Sequence, residues 1–135
     1  MKTWPVYEIL KAAAMKWPHN AAVYDEHGMM NFEELFTEAE KLRLQLINLG
    51  IKEGMGIGVM AANGRHFIIG IFAVVGTGAA VMPMSPQLKK AELDDILQNA
   101  KLHAVIDDRT AAQPLDAVDT VIPMKNGSFR FGFTG

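Results

Sequence analysis

From Phe67 to Met82 the chain is apolar at every position except Thr77, and Gly70, Gly76 and Gly78 divide the run. This segment restricts the fold more than any other. A bilayer-spanning helix needs about 20 apolar residues, so a membrane-associated protein using residues 67–82 is the less economical account. A buried helix, a glycine turn and a buried strand fit the pattern better. The flanks agree. Ile57–Ala61 reads as a strand with Ile57, Val59 and Ala61 on one face. Asn63 is placed to cap a helix over 64–76, apolar nearly all round. Ala79–Met82 reads as a second, buried strand ended by Pro83. Ser85 and Pro86 have the chemistry of an N-cap and a first-turn proline, predicting a helix to about residue 100 with Leu88, Ala91, Ile96, Leu97 and Ala100. His103–Ile106 is a third strand. Strand, helix, strand, helix, strand predicts an α/β fold: a mostly parallel sheet with helices on both faces and right-handed crossovers.

Upstream, Val6, Ile9, Leu10 and Ala13 recur at helical spacing over 4–16, and Trp17-Pro18 ends that helix. Trp4 and Trp17 flank it and are expected to seal it to the body. Ala21–Tyr24, a turn at Asp25-Glu26-His27-Gly28 and Met29-Met30 predict a small hairpin. Asn31 is a good N-cap, with Glu34 completing a capping box and Met30 and Leu35 a hydrophobic staple. The helix they open carries an apolar stripe of Phe32, Leu35, Phe36, Ala39, Leu42, Leu46 and Ile47. Glu33, Glu34, Glu38, Glu40, Lys41 and Arg43 are assigned to its wet side. Gly50 is a natural C′ residue, with Ile51 packing back. Downstream, 109–128 reads as a polar connection that includes a short strand at Thr120–Ile122 and the Asn126-Gly127 turn. Phe129–Phe133 alternates as a last strand, with Phe129, Phe131 and Phe133 on one core-facing side.

The chain has 135 residues, room for one domain, which we take as residues 1–135. A net charge of −2 with scattered Lys and Arg gives no electrostatic reason to bind nucleic acid. The absence of cysteine removes disulfides, thiolate metal sites and thiol catalysis, and fits a reducing compartment. Pro5 and Glu8 interrupt any signal-peptide core.

Chemistry-bearing clusters are scarce. His19, His27, His66 and His103 share no metal-ligand spacing and read as loop or surface residues. Asp94-Asp95 are adjacent on a helix and cannot both face one centre. Asp107-Asp108 lies just past a strand end, where open α/β sheets bind ligands, although such a pair is more often a turn. Gly54-Met55-Gly56-Ile57-Gly58 enters a strand instead of following one, which argues against a dinucleotide loop. Gly76-Thr77-Gly78 joins helix to strand, the wrong polarity for holding phosphate.

Five stretches, in order, resemble the start of the adenylate-forming superfamily of acyl-CoA synthetases, peptide-synthetase adenylation domains and luciferases. Trp17-Pro18-His19-Asn20-Ala21-Ala22-Val23 is similar to its opening ahead of a hairpin. Met30-Asn31-Phe32-Glu33-Glu34-Leu35 resembles the first core motif, with Phe32 in place of tyrosine. Leu49–Val59 resembles the glycine–aspartate stretch, with Met55 in place of aspartate. Asn63 resembles the family's helix start, and Val75–Pro86 its second core motif. The resemblance covers about residues 5–108 and implies the N-terminal subdomain of an acyl-CoA synthetase-like large domain, hence a partial domain.

It implies, for the intact enzyme, a ligase using ATP, Mg and CoA. A carboxylate attacks the α-phosphate to give an acyl adenylate and pyrophosphate, and a thiol then displaces AMP. The family's phosphate loop, adenine-contacting aromatic motif, ribose-binding aspartate, hinge and C-terminal lysine lie downstream of Phe129–Phe133. Catalytic, cofactor-binding and metal residues are therefore assigned to no position here, and inactivity alone is expected. The implied partners are the remainder of the enzyme and a carboxylic-acid substrate, in the cytoplasm, with no membrane span. An exposed apolar face would favour self-association. The alternative is a stand-alone α/β binding module without catalysis.

Overall fold

The computed structural model describes residues 2–61, 64–108 and 120–134. Helix α1 (Pro5–Lys16) leads into a hairpin of β1 (Ala21–Asp25) and β2 (Gly28–Asn31), then helix α2 (Phe32–Asn48). Strand β3 (Gly56–Met60), helix α3 (Arg65–Gly76), strand β4 (Ala80–Met84), helix α4 (Lys90–Asn99) and strand β5 (Ala104–Asp107) follow. Strands β6 (Thr120–Pro123) and β7 (Ser128–Phe133) complete the described chain. The main sheet has the order β4-β3-β5-β7-β6. β3 pairs in parallel with β4 and β5, whereas β7 is antiparallel to both β5 and β6. The fold is α/β as expected, and the sheet is mixed: its parallel half is the βαβαβ unit and its antiparallel half the hairpin after residue 119.

Strand alternation sorts the side chains onto two faces. Ile57, Val59, Ala104, Ile106, Phe129 and Phe131 join the main core with residues of α1, α2 and α3. The intervening Met60, Met84 and Val105 pack under α4 through Leu93, Ile96 and Leu97. Burying each such large side chain contributes about 1.5–3 kcal/mol.

Local signals explain α2 closely. Asn31 Oδ1 accepts from the Glu34 backbone N–H at 2.8 Å, and Glu34 Oε1 accepts from the Asn31 N–H at 3.0 Å. Met30 and Leu35 are both buried in the core. At the far end Gly50 has φ 98°. There its N–H donates to Ile47 and the Ile51 N–H to Leu46, a Schellman closure. One assignment on this helix is corrected: Glu38 is only 5 % exposed, not on the wet side. Its carboxylate accepts from the Lys125 backbone N–H at 2.9 Å and pairs with Lys41 at 2.9 Å. Ile47, assigned to the apolar stripe, is exposed instead.

Other expectations are also corrected. In α1 the buried face is Tyr7, Leu10 and Ala14, while Val6 and Ile9 are exposed. The helix docks through Tyr7, whose hydroxyl donates to Glu40 at 2.6 Å beside Arg43. Trp4 packs over Gly78, which has φ 87°, so a Cβ there would run into the indole. Trp17 stays exposed. β4 runs through Pro83 to Met84 and lies at the sheet edge with largely exposed residues, not buried. An edge tolerates proline because the missing N–H removes no necessary ladder bond. Ser85-Pro86 makes a turn, since Ser85 Oγ accepts from the Gln87 N–H at 3.1 Å. The helix starts only at Lys90, where Glu92 accepts from the Lys89 N–H at 3.1 Å. The assignment of Asn63 as a cap and residues 109–119 of the polar connection lie outside the described residues; Gly64 stands at the N-cap position of α3. No helix among the described residues is long and apolar enough to cross a membrane.

Candidate functional site

In a parallel αβ unit the carboxyl ends of the strands are where ligands collect, and the polar side chains of this chain gather there. Asp107 ends β5 and points to the α4 side of the sheet. Its carboxylate is fully buried and accepts two bonds from the Arg130 guanidinium of β7, at 2.9 and 3.0 Å. Asp108 turns the other way. Its N–H continues the ladder to the Met60 carbonyl at 3.2 Å, and its carboxylate lies 3.2 Å from His66 Nδ1. The adjacent aspartates are therefore split between two partners, forming neither a surface turn nor a paired-carboxylate centre.

His66, placed among loop or surface histidines by its spacing, sits in the first turn of α3 with its side chain 15 % exposed. The ring stands edge-on to Phe129, centroids 5.5 Å apart. Its basicity is raised, mainly by the bond to Asp108 and further by the Asn126 backbone; burial opposes both. Arg65, one residue earlier, forks onto Asp25 at 2.9 and 2.8 Å and also reaches Asn126 Oδ1 at 3.1 Å and the Gly28 carbonyl at 3.2 Å. The guanidinium holds the Asp25 carboxyl well below the usual carboxylate range. Glu34 is also lowered, first by the Asn31 N–H and then by Lys125, whose Nζ lies 3.3 Å away. These bonds fasten the hairpin, the starts of α2 and α3, the end of β5 and the 124–127 turn to one another. Sequence reasoning missed His66. The available signal was Arg65-His66 opening a helix otherwise apolar to Gly76. The other histidines behave differently. His27 is exposed beside Glu26, and His103 Nδ1 accepts the Gly56 N–H at 3.0 Å.

Beside this hub a shallow cleft of ≈ 510 Å³ lies at the ends of β3 and β4, lined by Ala61, Phe67, Pro83, Met84, Ser85, Pro86 and Gln87. No charged side chain is among these lining residues. Among the described residues no group of three or more His, Asp or Glu could hold a metal ion. The described residues thus do not fit a magnesium–nucleotide site: Asp107 is forked to Arg130 and Asp108 faces His66. The arrangement braces a sheet, with Asp25, Asp107 and Asp108 each facing a cation or an imidazole from another element.

The fold is like that of N-terminal subdomains of adenylate-forming enzymes. The family described as AMP-binding enzyme matches residues 10–131, and this chain belongs to it. Among curated relatives, the nonribosomal peptide synthetase gloA of Glarea lozoyensis is 26 % identical over 85 % of this chain and 2 % of its own length. Among solved structures, IdnL1 superposes with a TM-score of 0.77 at 19 % identity, covering 92 % of this chain and 26 % of that one. A long-chain-fatty-acid-CoA ligase, FadD1 of Archaeoglobus fulgidus, gives 0.69 at 24 % identity, with 77 % and 22 % covered. At these identities the structural likeness speaks for the fold. The chain spans a small share of each relative.

Proposed function

We propose that this chain is the structural N-terminal subdomain of an ATP-dependent, AMP-forming carboxylate–CoA ligase, inactive on its own. The single observation that carries the reading is the family match across residues 10–131, on a chain whose described charged clusters serve as braces. The CoA acceptor follows from the resemblance of residues 5–108 to acyl-CoA synthetases, whereas the curated relative gloA is a peptide synthetase, another branch of the family. The remainder of a longer ligase is then its partner, a carboxylic acid the substrate, the cytoplasm its location, and ATP, Mg and CoA the cofactors bound by other segments. Self-association through exposed apolar residues belongs to the same reading.

Calorimetry of the chain with Mg-ATP, together with carboxylate-dependent ATP–pyrophosphate exchange, tests it. The expected result is no measurable binding and no exchange alone, with exchange appearing when the chain is joined to a downstream AMP-binding segment. Tight ATP binding by the chain would place a nucleotide site in it and overturn the scaffold role. Persistent inactivity after joining would favour the stand-alone binding module.

A further inference from the structure

Helix α3 begins where two separate pieces of the chain, the end of β5 and the 126–129 stretch, converge on one imidazole. His66 Nδ1 lies 3.2 Å from the Asp108 carboxylate, just past β5. The backbone of Asn126, in the β6–β7 turn, raises the basicity of the ring further. That turn closes directly on it: a Cβ on Gly127 would lie 3.3 Å from His66 Cε1 and 4.0 Å from Nε2. The Phe129 ring, fully buried, meets the imidazole edge to face. We propose that His66 is a proton-operated clasp. Charged, it pairs with the Asp108 carboxylate and holds the end of β5 against α3, with the β6–β7 turn packed on the ring; neutral, it brings no charge to that carboxylate and the hold loosens.

The surrounding charges support this assignment. On its own helix Arg65 is engaged with Asp25 of the hairpin and with Asn126 Oδ1. Lys125 of the turn is turned toward Glu34 and, through its backbone, toward Glu38 of α2. Asp107 faces Arg130 on the opposite side of the sheet. Among the described residues Asp108 is therefore the carboxylate that meets the ring, with its side chain only 2 % exposed. A positive charge at a helix N-terminus is unfavourable, and Arg65 adds repulsion. The Asp108 bond outweighs these and the larger opposing effect of burial, so basicity rises above the ordinary value of 6.5. The sign follows from linkage: a raised folded-state pKa gives stability that is complete below 6.5 and disappears as pH climbs through the raised value.

The test is an NMR titration of the His66 imidazole in the whole chain. It is paired with amide exchange at Phe129 and Phe131, corrected for intrinsic rates, from about pH 5.5 to about pH 8.5. Wild type should titrate above the ordinary histidine value, and Asp108→Asn should bring it down. Protection in β7 should fall on the order of tenfold across that titration in wild type and show no step in His66→Gln. Titration of wild-type His66 at or below the ordinary value, or an equal step in His66→Gln, overturns the clasp. If both variants fail to fold, the wild-type titration decides alone.

Discussion

Asp107 shows how a polar residue can be inseparable from the core. It is buried beneath α4 and accepts both bonds from Arg130, whose side chain is 18 % exposed. Removing one member of a buried pair typically costs about 3–5 kcal/mol, because the remaining charge keeps its desolvation cost. Arg130→Met alone should therefore destabilise by roughly 3 kcal/mol in urea unfolding. The double change Asp107→Leu with Arg130→Met should recover most of that. An equal or larger loss in the double variant would mean that the pair does more than neutralise itself. Residue-level reading of the sequence went wrong at such positions. Glu38 and His66 look like solvated residues because their chemistry is polar. Their burial depends on Lys125 and Asp108, which lie 87 and 42 positions away.

At the scale of elements, helix α2 was legible almost completely, since its cap, staple and glycine stop are written within a few positions of one another. Helix α3 was legible as buried, but its fit to the sheet was not. Gly70 lies where a Cβ would come within 2.9 Å of Val59 Cγ1 and 3.7 Å of Phe129 Cε1. Alanine would gain up to about 1 kcal/mol of helix propensity and lose about 1–3 kcal/mol to overpacking. Val59 has no exposed surface and little room to yield. Gly70→Ala should thus lower stability by on the order of 1 kcal/mol, seen as a reduced urea midpoint. A raised midpoint would show that β3 gives way. The Ser85-Pro86 signal misled because the same hydroxyl that caps a helix also closes a turn, and local sequence does not decide between them.

At the scale of the whole molecule, and among the described residues, α4 covers one face of the sheet, while α1, α2 and α3 share the other. Met82 on the edge strand, Val121 on the opposite edge and Phe133 remain 37, 53 and 44 % exposed. Sheet edges bearing apolar side chains invite pairing. Light scattering should show a mass that rises with concentration, and Val121→Lys should reduce the rise; a concentration-independent monomer would argue that these residues are too dispersed to join copies. The sequence by itself determined the elements, the parallel βαβαβ order and the family, because periodicity, caps and motifs are short-range and survive without their surroundings. Only the tertiary structure decided that β7 inserts antiparallel beside β5, that β4 is an edge, and that Asp107 and Asp108 part to opposite faces. Each of those depends on a partner distant in the chain, whose approach no local pattern encodes.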